Sequence, residues 1–148
     1  LPAIAAVVGE ASPGPLTFVL VGAGVLLWLV GMVFEAGGDW QLARFKADPR
    51  NRGQVLDTGL WRYTRHPNYF GNACVWWGLF FIGLDAGGWW AVISPVLMTF
   101  LLLKVSGVAM LESTISERRP GYADYIRRTN AFFPGLPKAA APAGEETS

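Results

Sequence analysis

The sequence predicts an all-α membrane protein: a polytopic helical bundle with three transmembrane helices and a short C-terminal interfacial helix. Three observations carry that expectation. Hydrophobic residues make up 52% of the 148 and charged residues only 16%, against about 25% in a typical soluble domain. The apolar residues fall into three long runs. All twelve Lys and Arg lie at or after Arg44, so charge is kept out of the first run and gathered between and after the others.

The first run, residues 15–34, is PLTFVLVGAGVLLWLVGMVF, uncharged over a length that crosses a bilayer, for which roughly 20 residues suffice. Residues 39–46 (DWQLARFK) continue it as helix, and DPRNRG after them is a loop. The second run, 69–84, is shorter and interrupted by Asn72. Pro67 suits the first turn of its helix, where a missing N–H costs nothing. The third run, 89–103, continues past Lys104 to Leu111; Trp89 and Trp90 suit an interfacial anchor, and Pro95 is expected to kink it. RRPGY reads as a turn, and 122–128 (YADYIRR) as a short amphipathic helix at the membrane surface. Residues 138–148 are expected to be a disordered tail and 1–14 the N-terminal piece of a fragment, since the chain opens on Leu1 without a basic leader. Residues 15–137 then form one membrane domain. No internal repeat is visible.

Basic residues set the expected orientation. Arg44, Lys46, Arg50, Arg52, Arg62 and Arg65 lie between the first two runs, and Arg118, Arg119, Arg127, Arg128 and Lys138 follow the third. The loop LDAGG between the second and third has none. Positive loops stay cytoplasmic, which places 44–65 and 112–148 inside and Asp85 outside. A net charge of +1 gives no reason to expect a nucleic-acid partner. A single cysteine, Cys74, excludes an internal disulfide and reads as a small buried hydrophobe. One His and one Cys exclude a zinc pattern, and neither a GxGxxG nor a P-loop occurs.

Three polar clusters stand out. Glu35, Asp39 and Lys46 share one helical face at the inner end of the first run. A helix leaving the membrane also gathers solvated charge, but carboxylates this close to an apolar core are costly unless used. The second cluster is GLWRYTRHPNYFGN, residues 59–72. A helix start at Pro67 favours an anion, and Arg62 and Arg65 supply forked donors suited to phosphate. His66, Asn68 and Tyr69 add neutral hydrogen-bonding groups; Trp61, Tyr63 and Tyr69 offer rings for stacking. A basic loop touching lipid headgroups accounts for the arginines but not for the others. For His66 alone, a structural hydrogen bond is at least as good a reading as catalysis. The third cluster is Lys104, Glu112 and ERRPGYADY; snorkelling accounts for Lys104 equally well.

FEAGGDWQLARFK, DTGLWRYTRHPNYFG, LLLKVSGVAMLE and RRPGYADYIRRTNAFFP follow one another over about residues 30–137. In that order and spacing they resemble the bacterial DUF1295 family, relatives of the steroid 5-alpha-reductase C-terminal domain. The resemblance implies an integral protein of the bacterial inner membrane that reduces, with NADPH, a carbon–carbon double bond beside a carbonyl in a lipophilic substrate, steroid-like or isoprenoid. It implies a cofactor cavity open to the cytoplasm, with Glu35, Asp39, Lys46, Asn68 and Lys104 at cofactor-contacting positions and Glu112 and Tyr122 as weaker matches. Arg62, Arg65, His66, Tyr69 and Asn72 complete the expected cofactor set. The resemblance departs at Asn72, where the family usually carries Glu or Asp. The residues that polarise the substrate carbonyl are expected upstream of this chain. RHPNYFG is also similar to a stretch of isoprenylcysteine carboxyl methyltransferases, which share the architecture, so an S-adenosylmethionine-dependent methyltransferase is the first alternative. A non-catalytic lipid-binding module is the second.

Overall fold

A computed structural model describes residues 14–84, 87–106 and 121–139 of the chain. Four α-helices occur among them: α1 (Pro15–Ala47), α2 (Pro67–Leu84), α3 (Ile93–Phe100) and α4 (Tyr122–Arg128). No strand occurs among the described residues. The apolar run and the charged DWQLARFK segment are a single 33-residue helix, with Pro15 in its first turn and Arg44 and Lys46 in its last. Cations there complement the carbonyl end of the helix dipole. Among the described residues α1 alone is both long and apolar enough to cross a membrane, with a mean hydropathy of 2.4 in its apolar stretch. The second helix starts at Pro67 as expected and runs 18 residues.

Residues 88–106 form a succession of helical types: a 3-10 turn (Gly88–Val92), then α3, then a π-helical segment (Leu101–Ser106). Pro95 lies in the first turn of α3, just after the change from 3-10 to α, where a missing N–H is least costly. Thr99 Oγ1 donates to the Pro95 carbonyl and accepts from Trp77 Nε1, tying this helix to α2.

The two long helices run antiparallel, and glycine sets how closely they meet. Gly24, Gly31 and Gly38 recur every seven residues on α1 and are its buried positions. Gly71 and Gly78 answer them on α2. A Cβ built on Gly24 would lie 2.7 Å from the Gly78 carbonyl oxygen, and one on Gly31 would lie 2.7 Å from that of Gly71. Residues without side chains let two backbones touch, the usual device of helix pairs that lack a hydrophobic driving force between them. Toward the charged end of α1 Gly38 faces Pro67, and the seam stops.

The polar end is closed by the last described part of the chain. Arg65 N–H donates to the Asn130 carbonyl, Gly135 N–H to that of Tyr63, and Thr64 Oγ1 to that of Phe132. Residues 129–135 therefore lie as a strap along 63–65. Phe132 anchors it, buried with Ala73 and Leu102 and edge-on to Phe70. The tail expected from residue 138 is still tied at its start: Lys138 N–H donates to the Arg128 carbonyl.

Candidate functional site

Where the glycine seam ends, side chains take over the contact between α1 and α2. Asn72 Nδ2 donates to Glu35 Oε1 at 3.0 Å, and Asn68 Nδ2 donates to Asp39 Oδ1 at 2.9 Å. Residues four apart on each helix make two rungs, one turn apart. The asparagines suit this because each amide donates to a carboxylate without adding charge. A carboxylate at position 72, which the resemblance leads one to expect, would instead meet Glu35 as a like charge. Asn72 Oδ1 is buried and has no hydrogen-bond partner among the described residues.

Beside the second rung lies a cavity of about 340 Å³. Its polar lining consists of Lys46 from α1, Arg65 and His66 just before α2, Asn68 and Tyr69 in the first turn of α2, and Tyr122 and Tyr125 from α4. Trp61, Leu42, Val55 and Leu56 complete the wall. Local contacts position several of these. Gly59 has φ +61°, a turn that glycine tolerates, and Gln41 Oε1 accepts the Leu60 N–H beside it. Trp61 Nε1 donates to the Gly38 carbonyl, and the Trp61 carbonyl accepts from the Tyr125 hydroxyl. Burial, with Tyr122 beside it, pushes the pKa of that hydroxyl above its ordinary value, so it stays a donor. His66 and Tyr69 stack face to face, centroids 5.3 Å apart. Asn68 Oδ1 accepts the Tyr69 N–H, which together with Asp39 holds the amide in one orientation.

Six of the residues expected at a cofactor site thus line one cavity: Lys46, Arg65, His66, Asn68, Tyr69 and Tyr122. Glu35, Asp39 and Asn72 form the adjoining rungs. Arg65 is buried, and its Nη1 donates to the carbonyls of Ile126 and Thr129, so part of its guanidinium capacity fastens the strap. Arg62 points elsewhere: it lines a separate cavity with Arg128 and Lys138. Lys104 is exposed within the π-helical segment and lines neither cavity. Glu112 lies outside the described residues. Tyr125 is the polar wall residue that the sequence reading missed; it lies three residues from Tyr122, on the same side of a short helix, which is the signal that could have found it. Helix α4 is not merely a surface element, since Tyr122 and Tyr125 are both buried.

These features define a class: a protein whose described residues are helical, with one membrane-length helix among them, and with a ring-lined cavity bearing a few polar groups at the charged end of a glycine-sealed helix pair. The chain belongs to the family described as protein of unknown function DUF1295, whose model matches residues 1–129. It is also similar to an uncharacterized protein of Schizosaccharomyces pombe, C594.04c, at 28% identity over 102 residues, 63% of this chain. The chain spans only 28% of that relative's length. No solved structure matches.

Proposed function

We propose that this chain is the cofactor-holding part of an integral membrane reductase, which uses NADPH to reduce a carbon–carbon double bond beside a carbonyl in a lipophilic substrate. In this reading three helices cross the bilayer and the cavity faces the cytoplasm, following the distribution of basic residues. The observation that carries the proposal is the gathering of Lys46, Arg65, His66, Asn68 and four further aromatic side chains around one cavity. The donor set fits a phosphate-bearing heteroaromatic ligand. Lys46 is an exposed cation with no carboxylate partner among the described residues. Asn68 keeps its second Nδ2 hydrogen for a ligand, and Trp61, Tyr69 and Tyr122 offer rings. At about 340 Å³ the cavity stands at the small end of ligand pockets, roughly 300–1,000 Å³. It therefore accommodates one end of a dinucleotide.

Each residue has a definable part. Lys46 would hold a phosphate by a charge-assisted hydrogen bond. Asn68, oriented by Asp39, would fix the plane of an amide or ring. The stacked His66–Tyr69 pair would exclude water from one face. The nicotinamide, when bound, supplies the hydride.

The test is a titration of the full-length protein in detergent with NADPH and, separately, with S-adenosylmethionine. NADPH is expected to bind, and Lys46→Ala to weaken it by about tenfold to a hundredfold with unchanged thermal stability. Saturable binding of S-adenosylmethionine with no response to NADPH would replace the reductase with the methyltransferase. Binding of neither would leave the lipid-binding module.

A further inference from the structure

A second cavity, of about 320 Å³, lies on the other side of the 57–62 loop and shares no lining residue with the first. Arg62, Arg128 and Lys138 bring three positive charges to it, against one carboxylate, Asp57. That carboxylate is committed: Arg128 Nη2 reaches Asp57 Oδ2 at 3.3 Å, while Arg128 Nε holds Asp124 at 2.6 Å. Arg62 and Lys138 make no ion pair among the described residues, and both are exposed. Thr58 also lines this cavity, and its side chain makes no capping bond to the 3-10 turn that it precedes (Gly59–Arg62). Two uncompensated cations and an unengaged hydroxyl therefore converge on one concave site. Backbone bonds hold its walls together, since the Lys138 N–H is fastened to the Arg128 carbonyl.

The depth of the site narrows the ligand. The 57–62 loop is attached to α1 at Gln41, through the Leu60 N–H. From Phe34, the last residue of the apolar run, the helix rises about 10 Å to Gln41 at 1.5 Å per residue. Beyond a hydrocarbon core of about 30 Å the headgroup layer is roughly 5–8 Å deep on each side, so Gln41 stands at its outer edge, where headgroup phosphates come within reach of long side chains. Trp40, one residue earlier, is 59% exposed, with the Arg44 guanidinium over its ring at 5.2 Å, and exposed Trp is enriched at membrane–water interfaces.

We infer that the cavity of Arg62, Arg128 and Lys138 is a binding site for a phosphate monoester at headgroup level, separate from the cofactor cavity. The guanidinium fork of Arg62 and the Lys138 ammonium engage the phosphate oxygens, Thr58 adds a neutral donor, and Arg128, held by its carboxylates, supplies charge at the back wall. The inference rests on α1 crossing the membrane but not on the reductase reading.

The experiment uses the full-length protein in phosphatidylcholine nanodiscs with and without 10 mol% phosphatidic acid (roughly, a surface charge like that of natural anionic membranes), and in detergent with inorganic phosphate. Binding is read by native mass spectrometry for the lipid and by calorimetry for phosphate. The variant is Arg62→Gln/Lys138→Gln; the control, Arg44→Gln/Arg52→Gln, removes the same charge away from the cavity. Loss of phosphatidic acid by about tenfold or more in the variant, with the control unchanged, supports a lipid source. An equal loss for inorganic phosphate, with no lipid retained by the wild type, supports a soluble source and does not depend on the membrane reading. Equal losses in variant and control, or no dependence on Arg62 and Lys138 for either probe, overturn the site. NADPH affinity is expected to be the same in all of these proteins, so the two cavities are tested apart.

Discussion

Along a single interface, α1 and α2 meet in two ways. Between Gly24 and Gly31 on one helix and Gly71 and Gly78 on the other, backbone touches backbone. Four residues further along α1, at Glu35, side-chain hydrogen bonds to Asn72 and then Asn68 take over. The first half has no room for a ligand and nothing to bind one. The second half is held apart by polar side chains and finished by a strap from far along the chain, and there a cavity opens. Rigidity and function are thus divided along one pair of helices: the seam fixes the angle between them, and the polar end uses it.

The seam is where substitution should cost most. A Cβ on Gly31 meets the Gly71 carbonyl and the Val75 amide, both at 2.7 Å, and these are backbone atoms that cannot step aside. Gly31→Val is expected to destabilise the protein by about 3 kcal/mol or more, the upper range for an overpacked core. On the same helix Gly22 has nothing within 4 Å of an added Cβ. Gly22→Ala should therefore gain up to about 1 kcal/mol from helix propensity. Thermal unfolding of the two variants in one detergent checks both; similar stabilities would mean the helices do not meet at this seam.

A smaller effect is expected at the polar end. Arg65→Ala leaves the Ile126 and Thr129 carbonyls without their cation, at a cost of roughly 1.5–3 kcal/mol. The loss should be local. Hydrogen exchange should speed up over Tyr122–Arg128 and the strap while the amides around Gly24, Gly31 and Gly78 stay protected. Arg65→Lys keeps the charge but not the fork, so it should recover only part. Uniform loss of protection over the whole chain would mean that the two halves are one cooperative unit.

The smallest effect lies on the outer surface of α4. The hydrogen bond from Arg128 holds the Asp124 carboxyl below its ordinary pKa. A depressed carboxyl contributes stability above its unfolded pKa, about 3.9, and loses it as pH falls through the lower folded value. The amide resonances of Tyr122–Arg128 should therefore hold steady from neutral pH to about pH 4 and shift only below it. In Arg128→Gln the shift should begin at higher pH.

Helix ends were the most legible features of the sequence, because proline and charge mark them locally: Pro15 and Pro67 open α1 and α2, and Arg44 and Lys46 close α1. The rungs were half legible. Glu35 and Asp39 announce themselves as carboxylates beside an apolar run, but their partners Asn68 and Asn72 are identified by pairing two helices in one register. The glycine seam went unread for the same reason. Its seven-residue spacing on α1 is present in the sequence, yet it has meaning only opposite Gly71 and Gly78. The two arginines of WRYTR could not be told apart by type or spacing. One is buried against carbonyls some 60 residues away and the other lines a different cavity, a division decided by the strap.

That strap also sets an order of events during synthesis. Arg65 and the carbonyls that receive it are 61 and 64 residues apart. At about 5–20 residues per second, a ribosome needs roughly 3–13 s to make the intervening chain. In the later part of that interval, once α2 is complete at Leu84, the two long helices can already be sealed at their glycines, while the cavity lacks Tyr122 and Tyr125 and a buried cation has nothing to hold. A nascent chain at this stage is a finished scaffold around an open pocket, and a chaperone or quality-control protease would find its target there, not along the glycine seam.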